Sequence, residues 1–282
     1  MQKPCSSSFK PMALDRQTRT CQDSDAMKKG PSAFPKLFVI FLFVLAACAH
    51  LPDQPVHKTE KGTVSATTET GFRICAPCTR DQAQRWVTEA KQDGASALKA
   101  ANCYAFLVKQ GKDKELRLAD AVKGRKLAKT AVIMLPRSGL AHYLYAYLTG
   151  LEAENDSLRG LELVPVIERE ALLASDLNPA VDHGGPHRML GELYLRAPAF
   201  PVSIGDSARA VDHFRLAVDQ DSEFFENRLG LAEALLSEEE PGKACFELKK
   251  ILSEMPPNSK IIPLWKRALE LLKRLCDIQE IE

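Results

Sequence analysis

The sequence predicts an all-α fold, a solenoid of stacked helical hairpins, and three observations carry that expectation. Residues 185–257 read as two successive copies of one hairpin. Leu190-Gly191-Glu192-Leu193-Tyr194 in the first copy answers to Leu229-Gly230-Leu231-Ala232-Glu233 in the second, and Ala210 and Ala244 then mark the second helix of each. Elsewhere apolar residues recur at helical spacing between Gly and Pro stops. Ala, Leu, Glu and Lys are plentiful and β-branched runs are few, which is helix composition. At 282 residues the chain has room for one or two domains with a good core. A net charge of +1 gives no pull toward nucleic acid.

Taken in order, residues 80–91 and 96–109 form a first hairpin, broken at Asp93-Gly94, with Trp86 as a core candidate. Residues 115–135 follow as a long helix with Leu118, Val122, Leu127, Ala131 and Leu135 at helical spacing and Pro136 as its stop. Ser138 caps the next helix, 138–154, whose partner, 161–176, ends at Asn178-Pro179. The two copied hairpins come next and close at Pro256-Pro257. Residues 260–277 place Ile261, Leu264, Trp265, Leu269, Leu272 and Leu275 on one side and Lys and Glu on the other, as a terminal helix must to end a stack. Leu-Gly, an apolar residue, then Ala and a closing Pro is tetratricopeptide spacing, at about 34 residues per unit plus insertions. The expected architecture is a tetratricopeptide-like α-solenoid of about four helical hairpins with a C-terminal capping helix. Gly191 and Gly230 are expected to let the second helix of each hairpin approach the first.

Ahead of this domain, 71–282, the chain changes character. Residues 1–26 are polar and aperiodic, and read as disordered or as an over-extended start before Met27. Residues 27–47 read as a signal peptide: Lys28-Lys29, the apolar run from Leu37 to Leu45, then Ala46-Ala47. That run is short of the ~20 apolar residues that span a bilayer. Leu45-Ala46-Ala47-Cys48 resembles the lipobox of bacterial lipoproteins. The resemblance implies cleavage after Ala47, acylation of Cys48, and a lipid-anchored place in the bacterial envelope. Ala49, rather than Asp, points to the periplasmic face of the outer membrane. The plainer alternative is an ordinary signal with an incidental cysteine. Residues 48–70, with Pro52, Pro55 and several Thr, read as a flexible tether.

Eight cysteines are many for a cytosolic protein without a metal motif, and an exported chain permits disulfides. Cys75-Ala76-Pro77-Cys78 precedes the first helix. A redox dithiol needs a thioredoxin-like strand before it, and a haem site needs His where Thr79 stands. A structural disulfide is the remaining reading, with Cys103 as a partner for one of the pair. Cys245 and Cys276 lie on apolar helix faces and read as buried small hydrophobes.

No catalytic constellation is present: no Gly-rich phosphate loop, no His-Glu-x-x-His, no G-x-S-x-G. Asp182-His183-Gly184-Gly185-Pro186-His187 offers two imidazoles and a carboxylate, but reads as a tight turn opening a helix rather than a metal site. No cofactor is expected. Tyr143 and Tyr147 share a helix face and, with His187, Tyr194, Phe200 and Arg228, are the candidates for a ligand or partner groove. The insertion 196–205 holds Phe200 and Ile204 between prolines. It reads either as a lip over the concave groove or as cover for the gap between repeats.

The run Leu190-Gly191-Glu192-Leu193-Tyr194, then residues 198–206, Ala210, Asn227-Arg228-Leu229 and Leu231-Ala232-Glu233, resembles the TatT family. These are tetratricopeptide lipoproteins linked to tripartite ATP-independent periplasmic (TRAP) transporters. The resemblance spans residue 71 to the C-terminus and is strongest over 185–234. It implies an α-solenoid with a ligand-accessible cavity, homo-oligomerisation, and association with the transporter's solute-binding subunit. The leading expectation is a non-enzymatic binding or docking lipoprotein accessory to such a transporter. A general scaffold for envelope or secretion-complex assembly is the alternative, and a dithiol enzyme using Cys75 and Cys78 is a third reading.

Overall fold

The computed structural model describes residues 72–156, 158–255 and 263–275. The segments 1–26, 27–47 and 48–70, with Ala47 and Cys48, lie outside the described residues. The described residues form ten α-helices: α1 Arg80–Glu89, α2 Gly94–Gln110, α3 Lys114–Met134, α4 Gly139–Asn155, α5 Gly160–Leu177, α6 Gly185–Arg196, α7 Ser207–Gln220, α8 Phe225–Ser237, α9 Pro241–Glu254 and α10 Pro263–Leu275. Local chemistry sets many of the starts. Thr79 and Gln82 make a capping box at α1. Asp93, Asp113, Ser138 and Asp206 each accept a backbone N–H of the first turn of α2, α3, α4 and α7. Pro186 and Pro241 stand in the first turns of α6 and α9, where a missing N–H costs nothing.

Each helix packs on the next, and the even-numbered helices also touch in sequence, α2 on α4, α4 on α6, α6 on α8 and α8 on α10. The even helices form one wall, and α3, α5, α7 and α9 each pack against the two even helices that flank them. This is the tetratricopeptide-like α-solenoid, with four hairpins, α2–α3, α4–α5, α6–α7 and α8–α9. Helix α10 is the terminal half-unit, with Ala268, Leu271 and Leu272 buried against the stack. Leu275, expected on the apolar side, is exposed.

The N-terminal pairing differs from the sequence expectation. Helix α2 packs far more extensively on α3 than on α1. So α1 is an added N-terminal helix, and α3 is the second member of the first hairpin. The reason lies in the stripe α3 turns inward. The long apolar residues Leu118, Val122, Leu127 and Leu135 are only half-buried, whereas Asp120, Ala121, Gly124, Ala128 and Ala131 are buried. Small residues bring α3 close to both α2 and α4: a Cβ on Gly124 would lie 2.6 Å from a Leu148 methyl and 2.9 Å from Tyr104 Cβ.

Gly191 and Gly230 also work differently from expectation. Both face one ring, Phe214 of α7, which is fully buried. A Cβ on Gly191 would sit 2.7 Å from that ring, so Gly191 does admit the partner helix of its own hairpin. Gly230 admits Phe214 of the preceding hairpin instead of its own partner α9. The repeated Leu-Gly pair is therefore a slot for a single wedge that joins α6, α7 and α8.

Candidate functional site

The N-terminal segment before α1 closes one end of the even-helix wall. Cys75 N–H donates to Asn102 Oδ1 of α2 at 2.7 Å, and Asn102 Nδ2 donates to Arg73 O at 2.8 Å. The Tyr147 hydroxyl of α4 lies 3.5 Å from Cys75 Sγ. Ile74 and Cys75 are buried in the main core. With α2, α3, α5 and α6 around it as well, α4 is buried at every residue from 139 to 152. Tyr143, Tyr145 and Tyr147 are therefore all core residues, the alternative to a groove role that their ring size also suggests, and the first and third line no open surface. Burial, with the Asp182 charge beside it, pushes the Tyr143 hydroxyl well above its usual range.

Cys78 and Cys103 are joined in a disulfide, with Cα atoms 5.7 Å apart, which fastens the entry of α1 to α2. Cys75 is also disulfide-bonded, so the two sulfurs of the Cys75-x-x-Cys78 motif belong to different bonds. Cys245 is half-buried and disulfide-bonded, where the sequence suggested a buried thiol; Cys276 lies outside the described residues.

The turn before α6 is built on left-handed backbone: Asp182, His183 and Gly184 have φ of 50°, 60° and 80°. Two of the three are not glycine, so their side chains must hold the turn. Asp182 does so by accepting from the Tyr143 hydroxyl and from Arg188, each at 2.6 Å. Arg188, 2% exposed, also donates to the carbonyls of His183 and Asp182 and to Asn227 Oδ1. Its guanidinium lies over the Phe224 ring, which stacks on His183. Asn227, fully buried on α8, donates to the carbonyls of His183, Ala217 and Asp221. A buried arginine with all of these partners is a structural seam between hairpins.

Further along the even-helix wall runs a ladder of alternating charge. Arg196 of α6 donates to Glu192 of its own helix at 3.1 Å and to Glu233 of α8 at 2.5 Å. Arg267 of α10 donates to the other oxygen of Glu233 at 3.2 Å. The ladder thus links three even helices. Burial, with Glu233 nearby, lifts the Glu192 carboxyl to about 7, against the downward pull of Arg196. Glu226, one turn before Leu229–Glu233, is likewise raised by burial.

His187 and Tyr194 lie elsewhere, between α5, α6 and α7. The Nδ1 atoms of His187 and His213 meet at 3.2 Å, so one donates and the other accepts. Tyr194 stacks on His213, donates to Glu168 at 2.6 Å and lies under the Arg209 guanidinium. Burial, then the charge of His187, pushes His213 down to about 4. Arg228 is buried and donates to Ser222 O and Glu247. Phe200 is at a loop tip, 88% exposed, and covers neither the groove nor the gap between repeats; Ile204 of the same loop does pack on the core. The six groove candidates are thus spread over several places and do not line one groove. His183 pairs with Asp221 while His187 pairs with His213, and no group of three metal-ligating side chains comes together among the described residues. A surface cavity of about 430 Å³ opens between α7, α8 and α9, lined by Val218, Leu231, Leu235 and Phe246 with Arg215, Lys243 and Glu247 at hand.

The ladder is only partly legible in the sequence. Glu192 and Arg196 carry a legible signal, an acid four residues before a base on one helix. Glu233 and Arg267 become visible only when the helices are stacked.

No protein-family model matches the chain, and no curated protein is similar to it at a significant level. Among solved structures it is similar to a thermophilic TPR protein of Thermus thermophilus. The identity is 19%, the TM-score 0.45, and the match covers 69% of this chain and 98% of that one.

Proposed function

We propose that this chain is a lipid-anchored envelope scaffold that docks a protein partner on the C-terminal half of its even-helix wall. The ion ladder Glu192–Arg196–Glu233–Arg267 carries the reading. Partly exposed ion pairs contribute little to the stability of a fold. A strip of them along one wall is better matched to recognising an extended, charged segment. Arg267 is 43% exposed at its side chain, so a partner's carboxylate has a guanidinium to engage at the outer end of the strip. Groups of both signs in the strip favour a partner with charges of both signs.

The lipobox resemblance at Cys48 supports the anchor, and the disulfide chemistry at Cys78 and Cys103 fits an oxidising compartment. The TatT resemblance supports a TRAP solute-binding subunit as partner and a periplasmic location. In the test, the acylated chain is purified from membranes and its partners are identified by mass spectrometry, for the parent and for Glu233→Lys. Recovery of TRAP subunits with the parent and their loss with the variant, at unchanged circular dichroism, is the expected result. Recovery of a mixed set of envelope proteins instead selects general scaffolding. Equal recovery with both proteins removes the ladder from the interface.

A further inference from the structure

Between α6 and α7 the chain makes a compact excursion whose base is closed by its own backbone. Gly205 N–H donates to Pro198 O at 2.9 Å, and Asp206 N–H donates to Tyr194 O at 2.9 Å. Val202 and Ser203 N–H both donate to Ala199 O, at 3.1 and 3.3 Å. Gly205 has no room for a side chain, since a Cβ there would lie 2.8 Å from Pro198 O and closer still to Ala197 O. Ile204 points back into the core. The tip is the reverse of this. Ala199, Phe200, Pro201 and Val202 are four consecutive exposed apolar residues, with Phe200 88% and Val202 66% exposed.

We infer that this tip is a lipid-contact point, inserted at the interface of the bilayer to which the domain is tethered. The inference rests on the membrane attachment proposed above. Three features favour lipid over a protein partner. No side chain from Ala199 to Val202 has a hydrogen-bonding group, so the tip offers a partner nothing polar to read. Pro198 and Pro201 have no N–H, and Val202, Ser203 and Gly205 spend theirs inside the loop, which lowers the cost of leaving water. The stretch from Cys48 to Phe72 reaches at most ~80 Å when extended, so the acylated chain keeps the whole domain close to the bilayer. The flanking bases do not act as a basic patch. Arg196 is held by Glu192 and Glu233, and Arg209 by Glu168 and Tyr194. Contact is therefore expected with neutral headgroups and with little dependence on salt. Two apolar side chains are too few to recruit a domain alone; they fix the orientation of one already anchored.

The test uses the full acylated chain in vesicles of phosphatidylcholine and phosphatidylethanolamine, with Phe200→Trp read as a difference from the parent, which contains Trp86 and Trp265. The substitution lies at a solvent-facing position, so unchanged circular dichroism is the expected control. Supporting the proposal is a blue-shifted difference emission that brominated lipid quenches at least about twofold, at low and high salt alike. A chain that floats with the vesicles while the added tryptophan stays unquenched overturns the lipid contact alone. So does a blue shift insensitive to brominated lipid, which marks burial against protein. An acylated chain that does not float removes the membrane attachment and the contact with it.

Discussion

Helices α4 and α8 hold equivalent places, each the first member of a hairpin, yet their surroundings are filled in different ways. Around α4, Tyr143, Leu144, Tyr145, Tyr147 and Leu148 are all buried, the segment at Ile74 and Cys75 lies over the helix, and the ion pairs, His142 with Glu170 and Glu152 with Arg125 and Arg159, run to α3 and to α5 and its start. Around α8 ionic and amide contacts run along the even-helix wall as well. Asn227 and Arg228 are fully or almost fully buried, and Glu233 takes a guanidinium from each neighbouring even helix. The difference shows that the wall is a continuous surface only in its backbone. Its N-terminal part is roofed over and serves stability. Its C-terminal part keeps ionisable groups in a strip that water can reach.

The largest expected break comes from the wedge at Phe214. Phe214→Ala empties a fully buried site between two glycines and should cost about 3–5 kcal/mol. In hydrogen exchange, α6 to α8 should lose protection before α2 to α4 does. Uniform loss along the whole chain would mean that the two halves melt as one unit.

The next contrast is pH. Glu192 has a folded pKa of about 7, above its unfolded value, so its protonated form is the one the fold favours. Its contribution is complete below the unfolded pKa and is lost as pH rises toward 7, about 3 kcal/mol in all. Glu192→Gln should therefore stabilise the protein at about pH 8 and change little at about pH 4. His213 runs the other way: its pKa is lowered to about 4, so its contribution is present above the unfolded value and is lost as pH falls through the folded one. Urea midpoints of Glu192→Gln and His213→Phe across pH would separate the two. A Glu192→Gln midpoint parallel to the parent at all pH values would rule out the raised carboxyl.

The smallest effect belongs to the seam where the two fillings meet. Tyr143→Phe removes one donor from Asp182 and leaves Arg188 in place. It should cost about 1 kcal/mol by thermal unfolding. A cost of several kcal/mol would show that the left-handed turn at Asp182 and His183 depends on the hydroxyl more than on the guanidinium.

Much of this was legible in the chain. Periodicity with Ser138, Asp206 and Pro136 placed helix ends within a residue or two, and the two Leu-Gly pairs marked the stacked units. Hairpin pairing was less legible, because α3 turns Ala and Gly inward and leaves its Leu residues half out, against the usual apolar stripe. The groove candidates are conspicuous aromatic and basic residues. Such residues are as useful for filling a core as for binding, and only stacking tells which. Phe200 reads in the sequence as a lip over the groove or as cover for the gap, and among the described residues it is the most exposed large apolar residue after Leu158.

Asn227 has one more consequence. Its amide nitrogen faces three carbonyl oxygens, and its own oxygen faces a guanidinium. Exchange of that single NH₂ for oxygen, as in spontaneous deamidation, would set a carboxylate against the same carbonyls and turn attraction into repulsion with no change of shape. The junction that holds successive units together thus accepts an amide and refuses an acid of the same outline.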